Sequence, residues 1–186
     1  MKAVLMSFSI YWLYLILEDK KKEEVRKHIP QSKDWNKIVK MYANKSKREL
    51  MRIPAIYREK YRKLMGKVVG EFTCDSYRKG KADNLVQAYC HNSDETCLTD
   101  RELLLYANTG KPVYFLHISD LKIYEQPKEL GEFKVECKEF GKDKPFCDDC
   151  NYERYYASEH YSECLCDGIK PITRPPQSWC YVEDIA

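Results

Sequence analysis

At 186 residues with 44% apolar side chains, the chain is sized for one domain with insertions and can bury a proper core. Its net charge is only +3, but residues 20–67 hold 17 Lys/Arg against 5 Asp/Glu, an excess of +12, and the remainder holds 15 against 24, or −9. That asymmetry suits either a polyanion-facing surface or a basic surface with no polyanion partner.

Met1–Ser7 reads as a strand and Ile10–Leu17 as a helix, with Ile10, Leu13, Ile16 and Leu17 on one face. The run Ala3–Leu17 lacks the small-residue cleavage site of a secretory leader. At about 15 residues it is also short of the ~20 that a membrane span needs. Tyr11, Trp12, Tyr14 and Leu15 leave the helix without a polar face, which suits a deep core helix, a dimer interface or a membrane-surface contact; the first is preferred. After Pro30 and a polar loop over 31–36, Ile38–Tyr42 is a short strand. Ser46–Met65 is helical and broken by Pro54. Its Tyr57, Tyr61 and Leu64 fall at helical spacing between Arg58, Lys60, Arg62 and Lys63. This basic helical insertion, about 44–65, either packs its tyrosines down or offers them to bases while Arg58, Arg62 and Lys63 meet phosphates. Val68–Asp75 is a strand, and a Lys/Gly-rich turn surrounds Arg78–Lys81. Cys97–Asn108 is a helix opened by a Thr99/Glu102 capping box. Val113–Ser119 and Leu121–Tyr124 are strands joined by a turn, Gln126–Phe133 is a connector, and Trp179–Glu183 is a closing strand. Many short strands with few helices predict an α+β protein built on a mixed β-barrel with peripheral helices.

Residues 19–26 read Asp-Lys-Lys-Lys-Glu-Glu-Val-Arg. If the chain is extended from Glu24, then Glu24 and Arg26 share a face, because strand side chains alternate. A carboxylate beside a guanidinium and near Lys21 binds a polar anion, or leaves the lysine able to act as a base where the guanidinium outweighs the carboxylate. The bland alternative is a solvated charge run. The octet resembles the Gly-x-Lys-x-x-Glu-x-Arg signature of the ASCH domain family, relatives of the PUA RNA-binding fold, with Lys21, Glu24 and Arg26 on its charged positions. Asp19 stands where the family has glycine, and aspartate can also occupy left-handed backbone. Gly66-Lys-Val-Val-Gly-Glu-Phe-Thr-Cys-Asp75, His117-Ile-Ser-Asp-Leu-Lys-Ile-Tyr124 and Arg174-Pro-Pro-Gln-Ser-Trp-Cys-Tyr-Val-Glu183 resemble a phage- and Firmicutes-type subgroup of that family.

The resemblance implies a single ASCH/PUA-like domain over 1–186 that handles RNA or nucleotides in a charged cleft. Lys21, Glu24 and Arg26 would line it, with Arg174, Gln177 and Ser178 as a second group; Trp179 is better read as a core residue in a rigid turn. In the amidohydrolase branch, which hydrolyses acylated cytidine nucleosides, the lysine is the base and a threonine assists; here Glu24 takes the threonine's place. A carboxylate there can keep Lys21 protonated and favours binding. The alternatives are a hydrolase acting on RNA or acylated cytidine, with Lys21 catalytic and Glu71 or Ser178 helping, and a phage-derived regulatory or counter-defence protein that binds a host protein. The expected setting is the cytoplasm of a bacterial or phage-infected cell, with no membrane partner.

Nine cysteines and no visible secretory signal favour reduced thiols or metal ligation over disulfides. A Cys-rich insertion, about 134–173, holds Cys147-Asp-Asp-Cys150 and Cys164-Leu-Cys166, with Cys137 and His160 available as substitutes. Zinc takes four thiolate or imidazole ligands, which paired knuckles supply, and it would stand in for a missing apolar core. A disulfide pair or free thiols are the alternatives. Cys74, Cys90, Cys97 and Cys180 are scattered and read mostly as small buried residues.

Overall fold

The computed structural model describes residues 2–30, 37–80, 93–107, 112–137, 146–147, 152–153 and 168–183. A five-stranded sheet forms the frame, in the order β12-β1-β3-β4-β7. Its strands are β1 (Lys2–Phe8), β3 (Lys37–Ala43), β4 (Lys67–Cys74), β7 (Ser119–Glu129) and β12 (Trp179–Glu183). β1 runs parallel to β3, and the other neighbours are antiparallel. Because β1 lies inside the sheet, it is apolar on both faces: Val4, Met6 and Phe8 enter one core, and Ala3 and Leu5 enter another.

The first core lies under helix α1 (Ile10–Leu17), which reaches water nowhere along Ile10, Leu13 and Ile16. Each of those side chains contributes about 1.5–3 kcal/mol by leaving water. The absence of a polar face on α1 has a local cause. Helices α2 (Lys47–Leu50) and α3 (Ala55–Leu64), joined across Pro54, occupy the chain between β3 and β4 and pack on it. Tyr61, 0% exposed, meets Tyr14 edge-on at 5.1 Å and donates a hydrogen bond to Glu18, and Tyr57 lies 6.0 Å from Tyr14. The Arg52 guanidinium covers Tyr11 at 3.8 Å and Trp12 at 5.0 Å. Of the two readings of the insertion's tyrosines, packing down is the one observed. No described helix is long and apolar enough to cross a membrane.

A second, three-stranded sheet has the order β2-β6-β5, from β2 (Glu23–Arg26), β6 (Val113–His117) and β5 (Tyr77–Gly80). One of its faces carries Val25, Val113 and Phe115 against Leu103 and Ala107 of helix α5 (Asp100–Ala107). The Thr99/Glu102 capping box is present: Glu102 N donates to Thr99 Oγ1 at 3.2 Å, and Thr99 N to Glu102 at 3.0 Å. Short helix α4 (Ser93–Thr96) precedes it.

Two elements differ from the sequence reading. The segment taken as a Lys/Gly-rich turn is strand β5, because pairing with β6 outweighs its composition. β7 does not stop at Tyr124 but continues to Glu129; Pro127 is tolerated there because β7 is an edge strand and its register against β4 shifts between Val68 and Gly70. Gly70 is required at that irregularity, since a Cβ would lie 2.3 Å from the Lys122 carbonyl oxygen. Beyond a 3-10 turn at Leu130–Glu132, β8 (Lys134–Glu136) pairs antiparallel with β11 (Ile169–Pro171). Within the segment between them, β9 (Phe146–Cys147) pairs with β10 (Tyr152–Glu153).

Candidate functional site

The charged cluster is built by the way α1 ends. Asp19 is left-handed, with φ 58, and the bonds Asp19 N to Ile16 O (3.0 Å) and Lys20 N to Leu15 O (2.8 Å) form a Schellman stop. Aspartate thus does what the signature's glycine would do, at some cost in strain. The chain then runs beside the turn after α4, where Lys22 N donates to Glu95 O at 2.7 Å and the thiol of Cys97, itself left-handed at φ 56, meets Lys20 O at 3.1 Å. β2 follows, and Glu24 and Arg26 share a face as the i, i+2 spacing requires.

Lys21 is 2% exposed; its Nζ donates to Thr96 O at 2.7 Å, lies 3.6 Å from Glu24 Oε2 and sits 5.3 Å from the Trp12 ring centroid. Arg26 is also buried. Its Nη2 donates to Ser7 O at 2.8 Å, and its guanidinium lies over Phe8 at 4.8 Å. Arg26 Nε is 2.9 Å from Glu24 Oε1, yet it has no hydrogen-bond acceptor among the described residues. The two observations agree if the contact is an ion pair whose N–H points away from the oxygen. One carboxylate therefore serves two buried cations.

Burial holds the Lys21 amine below the ordinary lysine range, and Glu24 opposes that fall without reversing it. The Arg26 charge is the smallest of the influences named, so burial, rather than the guanidinium, is the main cause. Glu24 does pair with Lys21 and favours its charged form, but burial outweighs that pull. The neighbouring Cys97 thiol is pushed up, by burial first and against the pull of Lys21.

The second predicted group touches the cluster through backbone. Ser7, whose carbonyl accepts from Arg26, donates its N–H to Ser178 O at 3.1 Å and its hydroxyl to Pro176 O at 2.6 Å. Arg174 and Gln177 are exposed, and Trp179 packs against the first core beside Tyr181. Glu71 stands apart, held by Lys40 Nζ at 3.0 Å and Tyr124 Oη at 2.8 Å. Burial works upward on its carboxyl, but those two hydrogen bonds bring it below the ordinary range. Arg58 is occupied at the α2–α3 junction, donating to Ile53 O at 2.7 Å and Met51 O at 2.9 Å. Arg62 pairs with Glu59 in the open, and Lys63 is exposed. No described hydrogen bond or ion pair joins these three to Lys21, Glu24 or Arg26.

Among the described residues no three His, Cys, Asp or Glu side chains converge as a metal site. Cys137 is buried at the end of β8, and Cys147 lies in β9; Cys150, His160, Cys164 and Cys166 lie outside the described residues. Thr96, Trp12, Ser7 and Cys97 were not signalled in the sequence as parts of this cluster.

Solved structures share this architecture. A serine-to-alanine mutant of the ASCH protein from Zymomonas mobilis superposes with a TM-score of 0.57 at 15% identity, covering 98% of this chain and 89% of that one. ASCH from Zymomonas mobilis gives 0.56 at 15% identity, covering 98% and 88%. A tyrosine-to-phenylalanine mutant gives 0.51 at 15%, covering 70% and 77%. No family model matches the sequence, and no curated protein does. The fold is α+β and is the one that these ASCH structures share.

Proposed function

We propose that the protein binds RNA or a nucleotide through the Lys21–Glu24–Arg26 cluster. The observation that supports this best is the imbalance of the cluster: two buried cations face one carboxylate, and Arg26 Nε has no hydrogen-bond acceptor among the described residues. A phosphate oxygen or a base carbonyl would offset the positive charge that Glu24 leaves unbalanced, and guanidinium donors suit both. The basic excess of segment 20–67 adds long-range attraction for a polyanion. Fluorescence anisotropy with a labelled single-stranded RNA tests the reading. Micromolar affinity is expected, falling about 20- to 50-fold between ~50 and ~200 mM salt for roughly three or four phosphate contacts. An affinity flat across that range refutes it.

The depressed pKa of Lys21 favours a second reading, a hydrolase of RNA or of acylated cytidine in which the neutral amine is the base. Hydrolysis lost in both Lys21→Met and Lys21→Arg supports it, because a guanidinium does not give up its proton at working pH.

A further inference from the structure

The sheet face that bears Glu24 and Arg26 does not end at the cluster. Residues opposite one another on paired strands share a face, and two rows run across β2, β6 and β5: Glu24, Leu116, Tyr77 and, one step outward, Arg26, Tyr114, Lys79. The inner members Glu24, Leu116 and Arg26 are buried. Tyr77 is 41% exposed, Lys79 is exposed and Tyr114 is half-buried. The two rings stand 5.9 Å apart at 54°, so neither stacks flat on the other, and Lys79 Nζ lies 5.8 Å from the Tyr114 centroid. Strands lie about 4.8 Å apart, which spaces Arg26 and Lys79 roughly 10 Å apart across the sheet with the Tyr114 ring between them.

We propose that Tyr77, Tyr114 and Lys79 are a stacking platform for single-stranded RNA that leads to Arg26. The proposal rests on the RNA-binding reading and names the surface that makes the contact. Cation, ring, cation across three strands matches what a nucleotide offers: a π-face for the ring and phosphates for the cations on either side. An unpaired strand is the occupant because a duplex hides its base faces. The neighbouring Arg78 does not belong to the platform; it turns to the opposite face, where it holds Glu23 through two hydrogen bonds of 3.0 and 2.6 Å and covers Phe115. Helix α3 is the weaker candidate for base contact. Tyr61 is wholly enclosed, Tyr57 packs against the core, and Arg58 is engaged with carbonyls.

The test is anisotropy with a fluorescein-labelled, mixed-sequence single-stranded RNA of about 12 nucleotides, site sizes for such surfaces being ~4–16. Tyr77→Leu and Tyr114→Leu should each weaken binding about five-fold or more, and Tyr77→Phe and Tyr114→Phe should restore it to within about two-fold, because the ring and not the hydroxyl does the stacking. Lys79→Glu, at an exposed position where folding is not at risk, should weaken binding and reduce the salt slope by about one contact. Wild-type affinity retained by Tyr77→Leu, Tyr114→Leu and Lys79→Glu overturns the platform while leaving the RNA-binding reading in place. A wild-type protein that binds no RNA overturns both.

Discussion

Glu24→Gln removes the single carboxylate that lies 2.9 Å from Arg26 Nε and 3.6 Å from Lys21 Nζ. Shape is kept, so the loss is electrostatic. Breaking a buried pair by deleting one partner costs about 3–5 kcal/mol, because the surviving charge stays in low dielectric. For a chain of this length that is a fall of about 6–20 °C in Tm. Lys21 limits the damage by giving up its proton more readily, since the carboxylate that opposed its falling pKa is gone. The sign with pH follows. Between the lowered folded value and the ordinary 10.5, the unfolded chain holds the Lys21 proton that the folded one has lost, so stability rises with pH through that window. In Glu24→Gln the rise should begin at lower pH and be larger in total. Lys21→Met is the internal control: it leaves Glu24 paired with Arg26, removes the hydrogen bond to the Thr96 carbonyl and the contact with the Trp12 ring, and should cost about 1–2 kcal/mol. Urea denaturation of the three proteins from neutral pH up toward 10.5 measures all of this. A Glu24→Gln loss under about 1 kcal/mol, or one smaller than that of Lys21→Met, refutes the view that one carboxylate balances two buried cations.

Lys21→Arg should retain RNA binding better than Lys21→Met if the site only binds, and should abolish turnover as completely as Lys21→Met if it catalyses; paired binding and hydrolysis assays decide. Arg58→Glu should destabilise by about 1–3 kcal/mol through its two lost carbonyl contacts, whereas Arg62→Glu with Lys63→Glu should leave Tm nearly unchanged and weaken RNA binding mainly at low salt. Tyr61→Phe should blunt the acid sensitivity of wild type. The Tyr61 hydrogen bond is the leading cause holding the Glu18 carboxyl below its ordinary 4.5, so its contribution is present above 4.5 and lost as pH falls through the folded value. The insertion is proposed to carry one zinc held by Cys147, Cys150, Cys164 and Cys166, with Cys137 or His160 replacing one; elemental analysis of reduced protein should find about one zinc, lost in Cys147→Ser, and metal-free protein rules it out.

Local signals made much of this fold readable. The α1 boundaries, the break at Pro54, the Thr99/Glu102 cap and the closing strand are each set by residues within a turn of one another. The meeting of Glu24 and Arg26 was readable for the same reason, as an i, i+2 pair on a strand. What failed depended on partners far along the chain. β5 is a strand because β6 pairs with it, and Pro127 sits in a strand because no described strand pairs beyond that edge of the sheet. The burial of Lys21 had no local sign, and a lysine in a charge run would be taken for an exposed one. Its cover comes from Trp12 and from the Thr96 carbonyl, 75 residues away.

The β8–β11 stem bears on how this protein can change. Cys137 N donates to Gly168 O at 2.8 Å, so the backbone on either side of residues 138–167 is already joined by the last rung of a ladder. The two ends of that connection therefore meet at one rung, and the entropy of closing a connection there grows only slowly with its length. A connection of another length closed on this rung would keep the β8–β11 register that Cys137 and Gly168 continue. A short turn grafted between Cys137 and Gly168 would make a minimal scaffold on which unrelated modules can be mounted.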